Sequence, residues 1–149
     1  MTQLTAHGLA VSVPGAWEAR IQRRVAQTRD EKTFAVLHAA SFPLPEQRDD
    51  FGGGVTALMR SSDVFITLFE YGPDAANTPL FKQQGKPRVS PGLYSTNRVQ
   101  RPRPGQIGCQ QFFTHNDRAF CLYVVAGSRG HLPSIILQVN RFLDGLDIA

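Results

Sequence analysis

Only two cysteines occur among 149 residues, and no apolar run approaches the roughly 18 residues of a membrane span. Two thiols without Cys-x-x-Cys spacing exclude a disulfide framework and a cysteine zinc site. The opening from Met1 to Gly8 has neither the basic nor the apolar stretch of a secretory signal, so the expected setting is cytoplasmic, with thiols reduced. Also missing are a Gly-x-Ser-x-Gly elbow, a Walker lysine with its Ser/Thr, internal repeats and low-complexity tracts. The four histidines, His7, His38, His115 and His131, show no i, i+4 pairing. Nothing in the sequence implies a metal or any other cofactor, and no residue is assigned a catalytic role.

What remains is the composition of a single soluble domain over residues 1–149. A chain of this length buries roughly 70% of its unfolded surface and needs no staple to fold. Ten prolines and thirteen glycines fall mainly between the apolar runs, as turns of a sheet protein require. The formal charge is +4, and thirteen of the sixteen basic residues are arginine.

Residues 107–145 carry the strongest structural signal. The segment Ile107–Thr114 leads through His115-Asn116-Asp117-Arg118 into Ala119–Ala126, whose alternate faces are both apolar, as in a strand covered on both sides. With Asn116-Asp117 as a two-residue turn, His115 faces Arg118, Cys109 faces Val124 and Cys121 faces Phe112. The two cysteines then point to opposite sheet faces, which excludes a disulfide between them. Beyond the hairpin, Ile135, Ile136, Val139, Phe142, Leu143 and Leu146 recur at helical spacing. Pro133 suits the first helical position and Gly145 the C-terminal cap, so a helix is expected over Pro133–Asp144.

Elsewhere the pattern predicts strands near Gly8–Val13, Trp17–Val25, Phe34–Ala40, Val64–Tyr71 and Leu93–Gln100. The Pro14-Gly15 turn suggests that the first strands form an antiparallel meander. Val55, Leu58 and Met59 share one face of a short helix expected over Asp50–Ser61, behind the Gly52-Gly53-Gly54 run. The expected fold class is α+β, an antiparallel sheet sandwiched between helices and closed by the C-terminal amphipathic helix.

The opening Gly8-Leu9-Ala10-Val11-Ser12-Val13-Pro14-Gly15-Ala16-Trp17, an apolar strand ending in a proline turn and a tryptophan, resembles the entry to domains of the Mog/PsbP-like fold. The chain also resembles actinobacterial proteins of similar length around Val64–Pro73 and Arg118–Gly127. The first resemblance implies an α-β-α sandwich and a role as a protein-binding or accessory subunit rather than an enzyme.

Candidate chemistry is sparse. Gly127-Ser128-Arg129-Gly130 reads as a turn before the last helix. Cys109 or Cys121 beside His115 or His131 makes a poor thiol–imidazole pair, because a cysteine within an apolar strand holds little thiolate. Gly52-Gly53-Gly54 could cradle a phosphate, but Asp49-Asp50 would repel one, so a hinge is the better reading. The long segment Gly72–Gly92, with Pro73, Pro79, Pro87 and Pro91, continues into the arginine-rich Arg98–Gly105, and such loops commonly carry function. A binding or accessory domain that contacts a protein partner through residues 72–105 is therefore expected, with Phe81, Lys82, Arg88, Tyr94, Arg98, Arg101 and Arg103 as its contact residues. Arginine clusters favour an acidic partner. Nucleic acid is disfavoured, since no recognition helix or interleaved aromatics accompany them. The alternative is a small-molecule binder or enzyme with a pocket between sheet and loop.

Overall fold

The computed structural model describes Met1–Ala149 in full. Strands β1 (Thr2–Ala6), β2 (Leu9–Val13), β3 (Glu18–Arg23), β4 (Ala35–Ala40), β5 (Val64–Gly72), β6 (Ile107–His115) and β7 (Arg118–Ala126) precede α1 (Leu132–Asp144) and β8 (Leu146–Ile148). They form two antiparallel sheets, one ordered β1-β2-β8 and the other β3-β4-β5-β7-β6. No helix is long and apolar enough to cross a membrane.

The β6–β7 hairpin has the expected register, with His115 opposite Arg118, Cys109 opposite Val124 and Phe112 opposite Cys121. Asn116 and Asp117 both take positive φ, 50° and 61°, the conformation a two-residue hairpin turn demands. Both cysteines are free and buried, in clusters on opposite sides of the sheet. Along β7 every residue after Arg118 is buried, so both faces are covered.

The covering layers correct the expected fold class, because the molecule is mostly β and its sheet is not sandwiched between helices. On the inner face, Ile135, Val139, Phe142 and Leu143 of α1 join Leu9, Val11 and Val13 of β2 and Leu146 and Ile148 of β8 in one core with Ile66, Leu68, Leu122 and Val124. Leu146 thus belongs to a strand rather than to the helical stripe. The outer face carries no α-helix. Irregular chain covers it, with Phe42, Leu44 and Val55 on Ala40 and Phe65, and Phe51 and Met59 beside Cys121 and Tyr123.

The helix expected over Asp50–Ser61 shrinks to a single 3-10 turn at Thr56–Leu58. Gly52 and Gly54 hold φ of 77° and 87°, outside the helical region. The strand expected at Leu93–Gln100 is instead two 3-10 turns, Pro91–Leu93 and Thr96–Arg98. Only Ser95 bridges to a strand, at Gly108 of β6. The meander at the start is also replaced: the Pro14 turn forms, with Trp17 N donating to Pro14 O at 3.0 Å, but it carries the chain from one sheet into the other.

Candidate functional site

The segment between β5 and β6 lies against the body of the domain. Phe81 and Tyr94 are buried; Phe81 packs edge-on against Phe112 with centroids 5.6 Å apart, and the Tyr94 hydroxyl lies beside the Cys109 thiol. The side-chain amide of Asn140 on α1 clasps the Val89 backbone in both directions, at 2.9 and 3.0 Å. Lys86 Nζ donates to the carbonyls of Leu143, at 2.8 Å, and Leu146, placing a cation where the helix exposes its carbonyl end. Arg88 pairs with Asp144 at 2.7 Å. Lys82, Arg98, Arg101 and Arg103 are exposed. The seven expected contact residues are therefore not brought together: Phe81 and Tyr94 face the interior, Arg88 is tied to α1, Lys82 is exposed next to the buried Phe81, and Arg98, Arg101 and Arg103 lie exposed on the later loop.

Arg101 leads to a feature on the other side of the sheet. Its Nη2 lies 3.0 Å from Asp49 Oδ2. Asp49 and Asp50 form the wall between two adjoining clefts, one of about 240 Å³ that includes Phe51, Thr56, Gln100, Arg101 and Tyr123, the other of about 410 Å³ that includes Gln22, Arg23, Arg24, Gln27 and Arg48. The glycine run shapes this wall. A Cβ on Gly52 would sit 2.2 Å from the Phe65 ring, and one on Gly53 2.1 Å from Asp49 Oδ2 and 2.9 Å from Arg101 Nη2.

Beneath the wall lies His38, fully buried on β4. Arg48 Nε donates to its Nδ1 at 3.0 Å. A guanidinium can only donate, so Nδ1 accepts and the ring proton is assigned to Nε2, which lies 2.8 Å from the Asp50 carbonyl. Burial, aided by the Arg48 charge and opposed by the Asp50 carbonyl, pushes the His38 pKa down to about 4. Arg48 also donates to the carbonyls of Pro45 and Glu46 and to Gln22 Oε1 at 3.1 Å. All its partners are uncharged and no carboxylate lies within ion-pair range, although Asp49 and Asp50 line the same cleft. Burial, with the neighbouring Arg20 charge, lowers its pKa. Burial raises the Asp50 carboxyl, Arg24 opposes that shift and Asp49 reinforces it. Arg24 is shared between Glu31 at 2.6 Å and Asp50 at 3.9 Å.

Groups with catalytic potential are not assembled into a site. Ser128 Oγ is 2.9 Å from His131 Nδ1, but it also reaches the Ser61 carbonyl at 2.8 Å and accepts from the His131 backbone N–H at 3.3 Å. It serves the turn leading into α1, with no carboxylate hydrogen-bonded to the imidazole. Burial pushes both cysteine thiols up to about 12. No group of three or more His, Cys, Asp or Glu side chains converges as metal ligands would.

Arg48, His38 and the Asp49–Asp50 wall were not legible as a unit in the sequence. The one signal was the juxtaposition of Asp49-Asp50 with three glycines, which reads equally well as a hinge. No family model matches the chain, and neither the curated proteins nor the solved structures include a match to it.

Proposed function

We propose that the chain is a binding module that docks an acidic protein partner on the arginine-bearing surface around the Asp49–Asp50 wall and residues 98–103. The supporting observation is an imbalance of charge. Arg98 and Arg103 are exposed without a carboxylate in ion-pair range, the exposed Arg23 and the half-buried Arg48 line the neighbouring cleft and also lack one, and Arg101 is matched only by the exposed Asp49. Desolvated arginines attract carboxylates bidentately, and exposed ones accelerate encounter with an oppositely charged surface. Of the seven residues expected from the sequence, the proposed surface keeps Arg98, Arg101 and Arg103.

The test uses a glutamate-rich peptide and the triple variant Arg98→Ser, Arg101→Ser, Arg103→Ser. These side chains are exposed, so the melting temperature should be nearly unchanged, while association at low salt slows. The difference should shrink near physiological ionic strength, where screening sets in beyond about 8 Å. Equal association rates for the two proteins at low salt would refute the proposal.

A second reading rests on the smaller cleft, where Tyr123 of the sheet faces Gln100 and Arg101 of the loop. Gln100 N donates to the Tyr123 hydroxyl at 2.8 Å, and the lining is mainly polar, with Asp49 and Asp50 against Arg101, as suits a small polar molecule that carries a cationic group. Its volume falls below the roughly 300 Å³ usual for ligand pockets, which ranks it second. A thermal-shift series with small amines and amino alcohols tests it, since a ligand at a hundredfold excess over its Kd stabilises by about 2.7 kcal/mol.

A further inference from the structure

The two edges of the five-stranded sheet are treated differently. At β6 the chain covers its own edge: Ser95 and Gly108 exchange backbone hydrogen bonds at 2.9 and 3.0 Å, Thr114 N donates to Gln83 O and Gly85 N to Thr114 O, both at 2.8 Å. At β3 no such hydrogen bonds are made: β1 lies beside its first residues without pairing to them, and β3 ends the sheet.

The register shows which β3 groups are free. Arg24 N donates to Phe34 O of the neighbouring segment, and the pairing continues through Gln22 with Val36 and Arg20 with His38. Backbone groups alternate in direction along a strand, so those of Ile21 and Arg23 point outward. β4 is the only strand hydrogen-bonded to β3, and no turn or loop hydrogen bond reaches them. Further toward the start of the strand, Ala19 O is taken by Arg20 Nη1 at 2.9 Å, and a groove against β1 begins at Thr2, Leu4 and Trp17. The open stretch therefore runs from Ile21 to Val25, whose side chain is 84% exposed.

This edge is arginine-rich. Arg20 shares Glu18 at 3.5 Å and Arg24 is divided between Glu31 and Asp50, whereas Arg23 and Arg48 have no carboxylate within ion-pair range. Charge on an edge strand discourages pairing with another copy of the same chain. It favours pairing with a strand of opposite charge.

We propose that the Ile21–Val25 edge accepts an extended acidic segment of a protein partner as a sixth strand. Main-chain hydrogen bonds to Ile21 and Arg23 supply the pairing, and alternate carboxylates fall on the sheet face that carries Arg20, Arg24 and Arg48. This rests on the acidic-partner reading and specifies how that partner is held.

The probe is a capped heptapeptide of alternating glutamate and valine, compared with two versions N-methylated at either the odd or the even residues. Strand addition uses only one set of peptide amides. One methylated version should therefore bind about tenfold more weakly while the other binds nearly as well as the parent. Hydrogen exchange at the Ile21 and Arg23 amides should slow on binding. If all three peptides bind alike and those amides stay unprotected, strand addition is wrong while docking through charge stands. If none binds at low salt, both proposals fall.

Discussion

Arg118 of β7 grips Glu70 of β5 at two points, Nε to Oε2 at 3.0 Å and Nη2 to Oε1 at 2.7 Å. The same guanidinium donates to the carbonyls of His7, Gly8 and Ala149, so one side chain ties the five-stranded sheet to the β1–β2 turn of the other sheet. The Arg88–Asp144 pair is equally short at 2.7 Å, but its side chains are 63% and 64% exposed against 17% and 5% for Arg118 and Glu70. Burial decides the difference. Arg118→Ala should cost about 3–5 kcal/mol by stranding a buried carboxylate, and Arg88→Ala about 0–1 kcal/mol. Urea denaturation of the two variants checks the contrast, and comparable losses would show that separation alone governs these pairs.

His38 makes stability depend on pH. Its pKa is depressed to about 4 in the folded protein, against about 6.5 in an unfolded chain. The unfolded state therefore binds the proton first on acidification. The contribution is fully present above pH 6.5 and is lost as pH falls toward 4, amounting to about 2 kcal/mol by pH 5 and about 3 kcal/mol by pH 4. In His38→Gln, which keeps an acceptor and a donor at this position, the slope between pH 6.5 and 5 should flatten whatever the absolute stability. An unchanged slope would assign the titration to another group.

How much of this was legible depended on sequence distance. Asn116-Asp117 is a local signal, and it fixed the hairpin register and with it the opposite faces of Cys109 and Cys121. The apolar stripe of α1 was equally local. The coupling of Glu70 to Arg118 joins residues far apart in sequence, and no periodicity reports it. The outer layer departs from the expected helix because, although Val55, Leu58 and Met59 have helical spacing, Gly52 and Gly54 adopt positive φ and divert the chain. Strands β1 and β8 escaped notice because TQLTA is mainly polar and LDI is only three residues long.

The two thiols should be inert in the folded protein. Burial holds both near 12, so at neutral pH almost no thiolate is present to react. Labelling by a thiol reagent should be slow in buffer, accelerate across the urea transition, and then reach both sites. Rapid native labelling of either cysteine would contradict its burial.

On α1, Phe142 and Leu137 are both apolar, but Phe142 is buried and stacks on Trp17 with centroids 5.6 Å apart, whereas Leu137 is 68% exposed. Phe142→Ala should cost about 3–5 kcal/mol. Leu137→Ala should stay within about 0.5 kcal/mol of the parent. Equal midpoints in chemical denaturation would mean that the helix presents a different face to the core.

The glycine run separates a structural requirement from a functional one. Gly52 has φ of 77° and a phenylalanine ring where its Cβ would go, so Gly52→Ala meets both backbone strain and a clash with the buried Phe65. A loss of about 2 kcal/mol or more is expected. Gly53 has no such backbone constraint, and its Cβ would meet the ends of Asp49 and Arg101, two exposed side chains that can swing aside. Gly53→Ala should therefore cost no more than about 1 kcal/mol, the range of an exposed ion pair. Its consequence falls on binding, because parting Arg101 from Asp49 frees a cation on the proposed docking surface. Association with the glutamate-rich peptide at low salt should be faster in Gly53→Ala than in the parent, opposite in sign to the arginine-to-serine triple variant. If Gly53→Ala left that rate unchanged while the triple variant lowered it, Arg98 and Arg103 would carry the attraction and Arg101 would belong to the wall alone.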